Sequence, residues 1–360
     1  MKIAQVAPLY ESVPPKCYGG TELVVSYLTE GLLREGHDVT LFASGDSITG
    51  ARLYAGCERA LRVHRVKDPW AYHVRMLGMV ARRAEDFDLI HFHIDYLHYP
   101  VMRYLSTKAV TTLHGRLDIP DLVPLHREYQ DMRTIAISKS QRSALPCANW
   151  VGTVHHGMPI DLLKPPDTNQ EGKYLAFLGR ISPEKGLDRA IEIARRVGMP
   201  LKIAAKIDAA DQAYFDSKIR HLLDDPLVDY VGEISQHEKP EFLGNAHALL
   251  FPINWPEPFG MVLIESMAAG TPVIAFEMGA VPEIIEDGVT GYLVQSIEEA
   301  VHAVHLVRSL DRRVCRRVFE KRFSVERMCQ DYERIYETLA GAPAGQAIEI
   351  PPITTATLSA

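Results

Sequence analysis

Lys2 to Ala7 is a short apolar run ending in Pro8, and after a loop with Gly19-Gly20 the stretch Thr21 to Glu35 has apolar residues at helical spacing: Leu23, Val24, Tyr27, Leu28 and Leu32. Gly36 ends that stretch, and Val39-Thr40-Leu41-Phe42-Ala43 begins a second apolar run. A strand that is apolar along its whole length has no face to give to water. A strand, a crossover helix and a strand in this order therefore predict a parallel sheet covered on both faces. Residues 88–93 and 109–114 read as further strands of the same sheet. After the breaker-rich, polar stretch 165–172 the pattern starts again, with a strand at 173–178, a helix at 186–197 and a strand at 201–205. Later strands are expected at 249–251 and 272–276, and helices at 212–223, 259–269 and 297–310. The prediction is an α/β chain of two doubly wound parallel-sheet domains, 1–160 and 161–323, then a closing helix over 324–340 and a poorly ordered tail over 341–360. Ligands of such sheets sit beyond the carboxyl ends of the strands, so a cleft between the two domains is the expected site.

Composition narrows the partners. At 47% apolar and 24% charged residues, a chain of 360 residues is ordinary for two packed cores and unlike a disordered or fibrous protein. A net charge of −7 speaks against nucleic acid as the main partner, because binding to a phosphate backbone draws on a basic surface. The five cysteines, at 17, 57, 147, 315 and 329, show no paired spacing, so neither a disulfide framework nor a zinc clamp is expected, and a reducing cytoplasm fits. The first residues lack the apolar core of an export leader. The most apolar long stretch, 259–276, is interrupted by Glu265, Ser266, Gly270 and Pro272, so no membrane span is expected.

Chemistry concentrates in Asn254-Trp255-Pro256-Glu257-Pro258-Phe259-Gly260-Met261-Val262-Leu263-Ile264-Glu265. Pro258 suits a first helical position, which places Glu257 at the cap and points the amides of Phe259, Gly260, Met261 and Val262 outward. Such a helix start binds a phosphate without a metal. Eight residues at about 1.5 Å each put Glu265 roughly 12 Å beyond Glu257, about the length of a diphosphate between two sugars. Glycosidase carboxylates stand closer, at about 5 to 9.5 Å. From these residues alone an acid on a helix dipole and one polar residue in a buried helix remain an alternative.

Glu257 and Glu265 within Pro-Glu-Pro-Phe-Gly, followed by Ala269-Gly270-Thr271-Pro272-Val273-Ile274-Ala275, resemble the signature of retaining nucleotide-sugar glycosyltransferases of family 4. Phe177-Leu178-Gly179-Arg180-Ile181-Ser182-Pro183-Glu184-Lys185-Gly186 is a second match; Gly279-Ala280-Val281-Pro282-Glu283 with Asp287-Gly288-Val289-Thr290-Gly291 is a third, and Gly19-Gly20-Thr21-Glu22 a fourth. The resemblance implies the GT-B fold, two facing Rossmann-like domains of which the first serves the acceptor and the second the nucleotide-sugar donor. It assigns Arg180 and Lys185 to the donor diphosphate, Glu265 to the ribose and Glu257 to the transferred sugar. Phe259, Gly260, Met261 and Val262 supply donor-binding backbone, Gly19 and Gly20 a phosphate or acceptor contact, and His114 a hydroxyl of the transferred sugar. In the family a donor phosphate oxygen takes the acceptor's proton, which implies retention and requires neither metal nor cofactor.

The expected donor is a UDP-sugar such as UDP-glucose rather than GDP-mannose, and the acceptor a sugar or other hydroxyl compound, with Asp95, Tyr96 and Arg116 as candidate contacts. A plain turn at Gly19-Gly20, an epimerase or phosphorylase on the same architecture, and a non-catalytic nucleotide-sugar sensor stay as alternatives. Where the family often has a glycine-rich turn this chain has Lys206-Ile207-Asp208, so the base is expected to be read by backbone near Val231 and Gly232; Glu277 is a further acid without a role. Asp86-Phe87-Asp88 reads as a solvated turn and His91 with His93 as packed residues. The basic run Arg312, Arg313, Arg316, Arg317, Lys321 and Arg322 reads as a solvated helix face, with peripheral contact to anionic lipid as its other use.

Overall fold

The computed structural model describes residues 1–16, 19–64, 66–105, 107–166 and 172–341. Cys17, residues 167–171 of the breaker-rich stretch and the tail over 342–360 lie outside the described residues. The chain forms two compact units: Met1–Gly157 with the segment from Val325 onward, and Met158–Ser324.

The first unit carries seven strands, β1 (Lys2–Val6), β2 (Asp38–Ser44), β3 (Arg52–Cys57), β4 (Leu89–Phe92), β5 (Ala109–Thr112), β6 (Arg133–Ala136) and β7 (Asn149–Thr153). Their order is β3-β2-β1-β4-β5-β6-β7, and the pairings are parallel. The second carries β8 (Tyr174–Arg180), β9 (Leu201–Lys206), β10 (Val228–Gly232), β11 (Ala246–Phe251), β12 (Val273–Phe276) and β13 (Gly291–Val294) in the order β10-β9-β8-β11-β12-β13, again parallel. Strand order reverses beside β1/β4 in one sheet and β8/β11 in the other. At such a switch point the following loops diverge and leave a crevice. The loops after β8 and β11 carry the Arg180–Gly186 and Asn254–Glu265 motifs, and those after β1 and β5 lead to Gly19-Gly20 and His114.

Helix Gly20–Arg34 ends as its sequence predicts, since Gly36 takes φ 88°, a left-handed conformation that costs glycine little. Its Gly31 lies against the closing helix, Val325–Gly341, where a Cβ would stand 2.3 Å from Cys329 Sγ. Strands β3, β6, β7, β10 and β13 are absent from the sequence reading. The edge strand β10 has mostly exposed residues and β3, also at an edge, buries only its last two, so apolar patterning does not announce them. The helix expected over 212–223 is irregular: one α turn, a π segment at Phe215–Ile219 and a 3-10 turn at Arg220–Leu222, which turns Phe215 and Ile219 inward.

The basic run near the C-terminus departs from its expected role. Arg312 donates to the carbonyls of Ala246 at 2.8 Å and Gly244 at 2.6 Å. Arg316 donates to those of Ala268 at 2.8 Å, Ile160 at 2.6 Å and Leu163. Arg322 reaches Glu283 and Ile284 carbonyls and the Glu286 carboxylate. Three of these arginines thus tie backbone together inside the second unit, and only Arg313, Arg317 and Lys321 form an exposed face. Arg316→Ala should destabilise the second unit by about 2–4 kcal/mol, because three carbonyls lose a charged donor, while Arg317→Ala should stay within about 0.5 kcal/mol of the parent. Urea unfolding of both variants checks this; equal stabilities would show that the clamp carries no load.

Candidate functional site

In the second unit the loop after β8 is fastened to the loop after β11. Gly186, at φ 68°, lies so close to Pro252 that a Cβ would stand 2.2 Å from its carbonyl oxygen. Asn254 N–H donates to Glu184 O at 2.8 Å and Arg189 Nη1 to Ile253 O at 3.4 Å. This junction aims Lys185 at the Glu257 segment. Its ammonium stands 5.6 Å from the Phe251 ring centroid and 5.2 Å from that of Trp255, and it donates to Glu257 Oε2. The Trp255 indole N–H donates to the same oxygen at 3.0 Å. Both partners are largely buried, with 18% of the Lys185 side chain and 11% of the Glu257 side chain exposed.

A third loop, after β12, holds Glu257 from behind. Gly279 takes φ 60°, and a Cβ there would stand 2.4 Å from Glu257 N, so only glycine lets the two backbones meet. Ala280 N–H donates to Glu257 O at 2.9 Å. The Gly279-Ala280 motif is thus a support for Glu257. Glu277, in the same loop, is exposed, accepts from Gln295 Nε2 at 3.3 Å and lines a depression of about 480 Å³ with Arg189, Asn254 and Phe276.

The helix after Glu257 starts later than its sequence predicts. It spans Met261–Ala268, with Gly260 at φ 90° and ψ 75° ahead of it, and Glu257 is not its cap. Phe259, 2% exposed, turns into the core against Phe323 at a centroid distance of 6.2 Å. That inward turn consumes the residues expected to form the first helical turn, so the rise of a helix does not apply between Glu257 and Glu265. The N-cap residue, Gly260, has no side chain to cap the helix, and the half-buried Met261 and Val262 bring its leading amides, which have no acceptor within the helix. Glu265 lies on this helix, 3% exposed, and accepts from Lys239 Nζ at 2.7 Å.

Arg180, at the end of β8, sits among acids: Glu184, Asp211 at 3.2 Å and Asp208 at 3.8 Å, the last also 3.4 Å from Lys206. Burial opposes ionisation of Glu184, but hydrogen bonds from its own backbone, Ser182 and Arg180 outweigh it and hold the carboxyl below its usual range. The Lys206-Ile207-Asp208 turn therefore supplies a counter-charge to Arg180. Val231 is 43% exposed on the edge strand β10, and Gly232 beside it takes φ 81°. The second unit thus brings Lys185, Trp255 and Glu257 together, while Glu265 and Arg180 each meet a different counter-ion. Lys239 lies in no motif that sequence reading can flag, and Trp255, inside the Asn254–Glu265 motif, had no role assigned to it.

In the first unit Gly19 heads helix Gly20–Arg34, accepting from Leu23 N–H at 3.0 Å, and is packed against Pro15. A Cβ on Gly20 would meet nothing within 4 Å. His114, two residues beyond β5, belongs to a buried histidine group. His93 Nδ1 lies 2.8 Å from His114 Nε2, and the His156 ring stacks on His114 at 5.3 Å and 18°. Burial pushes His114 down to about 3, and pushes His91, His93 and His156 well below their ordinary value. Asp95, just past β4, is exposed and takes φ 52°, which an aspartate tolerates better than most residues. Tyr96 is 39% exposed, and Arg116 forms a bidentate pair with Asp118, both bonds at 2.8 Å. Of the Asp86-Phe87-Asp88 stretch, Asp86 faces Arg83 at 3.6 Å and Asp88 accepts from Lys2 N at 2.7 Å. Among the described residues no three His, Cys, Asp or Glu side chains are grouped to hold a metal ion, and no helix is long and apolar enough to cross a membrane.

Residues 18–165 match the sequence profile described as Glycosyltransferase Family 4, and residues 161–314 the one described as Glycosyl transferases group 1. An uncharacterized glycosyltransferase of Methanocaldococcus jannaschii is 26% identical over 348 residues, covering 81% of this chain and 84% of its own. A phosphatidyl-myo-inositol mannosyltransferase of Mycobacterium tuberculosis is 25% identical over 397 residues, covering 96% of this chain and 98% of its own. Among solved structures, an Anabaena protein in complex with UDP and glucose superposes with a TM-score of 0.71 at 19% identity, over 95% of this chain and 100% of that one.

Proposed function

Since the chain belongs to family 4 of the glycosyltransferases and has the GT-B fold, we propose that it moves a hexosyl group from a nucleoside diphosphate sugar to a hydroxyl acceptor, with retention and without metal or cofactor. The observation that carries the reading is Lys185, held by Phe251, Trp255 and Glu257 at the β8/β11 switch point, beside a helix start whose N-cap residue is a glycine. A diphosphate arriving there takes the Lys185 ammonium and the amides of Gly260, Met261 and Val262, and releases the Glu257 carboxylate to accept hydroxyls of the transferred sugar. Breaking the glycosyl bond builds negative charge on the departing nucleotide. Cations and amides already aimed at that charge need no reorganisation and lower the barrier.

Arg180 adds the second cation once the diphosphate competes with its acids, Glu265 takes the ribose hydroxyls, and backbone at Val231 reads the base. Gly19, Gly20 and His114 belong to the acceptor-side unit, His114 meeting a hydroxyl of the transferred sugar. A donor phosphate oxygen then accepts the acceptor's proton on the face the nucleotide leaves. UDP-glucose is the first choice of donor, and GDP-mannose its competitor.

A thermal-shift screen of nucleotide sugars tests the reading: a ligand at 100 times its Kd adds about 2.7 kcal/mol to the folded state. UDP-sugars should raise Tm with or without a chelator. No shift with any nucleotide sugar, or one that requires a divalent ion, would count against it. Product anomers followed by NMR should keep the donor's configuration.

A further inference from the structure

A chain of hydrogen bonds in the first unit decides which nitrogen of His114 carries its proton. His93 lies between Gln5 and His114: its Nε2 is 2.8 Å from Gln5 Oε1, and its Nδ1 is 2.8 Å from His114 Nε2. Gln5 and His93 are buried, at 0% and 2% exposure. A neutral imidazole has one donor and one acceptor nitrogen. Gln5 Oε1 can only accept, so His93 Nε2 carries the hydrogen, His93 Nδ1 accepts, and His114 Nε2 must donate. That leaves a lone pair on His114 Nδ1, a buried atom with no hydrogen-bond partner among the described residues. Burial opposes a second proton on either ring.

The other end of the Gln5 amide is tied as well. Gln5 Nε2 donates to Tyr336 Oη at 3.4 Å, Tyr336 Oη lies 2.6 Å from His91 Nδ1, and His91 Nε2 lies 2.7 Å from Thr112 Oγ1. Thr112 in turn lies 3.1 Å from Tyr332 Oη. Turning the amide round would reverse the links on both arms and strand a buried N–H on His114 Nδ1. A stranded donor is rarer and costlier than a bare lone pair, which favours the amide as it stands.

We propose that Gln5 and His93 are positioning residues that hold His114 as the Nε2–H tautomer, so that Nδ1 accepts a hydrogen bond from a hydroxyl of the transferred sugar. The sugar contact rests on the placement of His114 under the proposed function; the tautomer does not. The polarity has a chemical use. Glycosyl transfer builds positive charge on the sugar ring. An acceptor on a sugar hydroxyl pushes electron density toward that charge, whereas an N–H would withdraw it.

The test is the two-bond 1H–15N spectrum of the full-length protein with labelled histidine, His114 being assigned by the signal missing in His114→Asn. His114 should be protonated on Nε2 and bare on Nδ1, and protonation of Nδ1 in the parent protein overturns the proposal. In Gln5→Met the two tautomers should mix, and kcat should fall about fivefold, the worth of one hydrogen bond, with little change in donor KM. An unchanged His114 tautomer in Gln5→Met overturns the part assigned to Gln5. A mixed tautomer with unchanged kcat upholds the hydrogen-bond chain and removes His114 from the sugar.

Discussion

Lys185→Ala should lower kcat/KM for the nucleotide sugar by about 10²-fold or more, the usual consequence of removing one preorganised donor from a developing charge. The same change should destabilise the second unit by about 3–5 kcal/mol, because Glu257, largely buried, loses its cation and keeps the uncharged Trp255 indole. The two effects separate in a double-mutant cycle. Glu257→Gln in the Lys185→Ala background removes the stranded charge and should restore part of the stability, while activity stays low. Single and double variants with the same unfolding midpoint would mean the pair is solvated. Parent-like donor affinity and turnover in Lys185→Ala would remove the lysine from the diphosphate.

Acidification should produce the other large effect. Burial holds His91, His93, His98 and His156 well below 6.5, and His114 at about 3. In the unfolded chain the same rings titrate near 6.5, so below that pH the unfolded state binds more protons and stability falls as pH falls. Above pH 6.5 both states are neutral and the contribution is complete. It is lost through the window from about 6.5 down to the folded values, at about 1.4 kcal/mol per pH unit for each ring. All five rings lie in the first unit, so the loss falls on that unit. Hydrogen exchange followed from pH 7.5 to 5.0 should therefore show peptides of residues 1–157 opening before those of 158–324. Exchange of the first unit that is indifferent to pH in this range would mean that the rings take up protons in the folded state.

Much of this architecture is legible in the order of the residues. Ile3–Ala7 and Val39–Ala43 are apolar apart from Gln5 and Thr40, and a nearly continuous apolar strand fits the inside of a covered parallel sheet. The edge strand β10 was not legible, because its side chains mostly face water and only its hydrogen bonds to β9 make it a strand. Pro258 pointed to a helix start that lies instead after Gly260, because burying Phe259 outweighs a local preference for the first turn. Arg312, Arg316 and Arg322 looked like a surface charge run, and their carbonyl partners are distant in sequence.

The sequence by itself determined two α/β units, the motifs at Arg180–Gly186 and Asn254–Glu265, and membership of a glycosyltransferase family, since these depend on residue type and short spacing. Tertiary structure alone decided that Lys185 meets Glu257, that Lys239 meets Glu265, that Arg180 meets Asp208 and Asp211, and that His93 stands between Gln5 and His114. Lys185 and Glu257 lie in separate loops, Lys239 and Glu265 on separate helices, and Gln5, His93 and His114 on or just past separate strands. Periodicity describes a residue's neighbours along one element, whereas charge and hydrogen-bond partners are set by which loops the sheet order brings side by side.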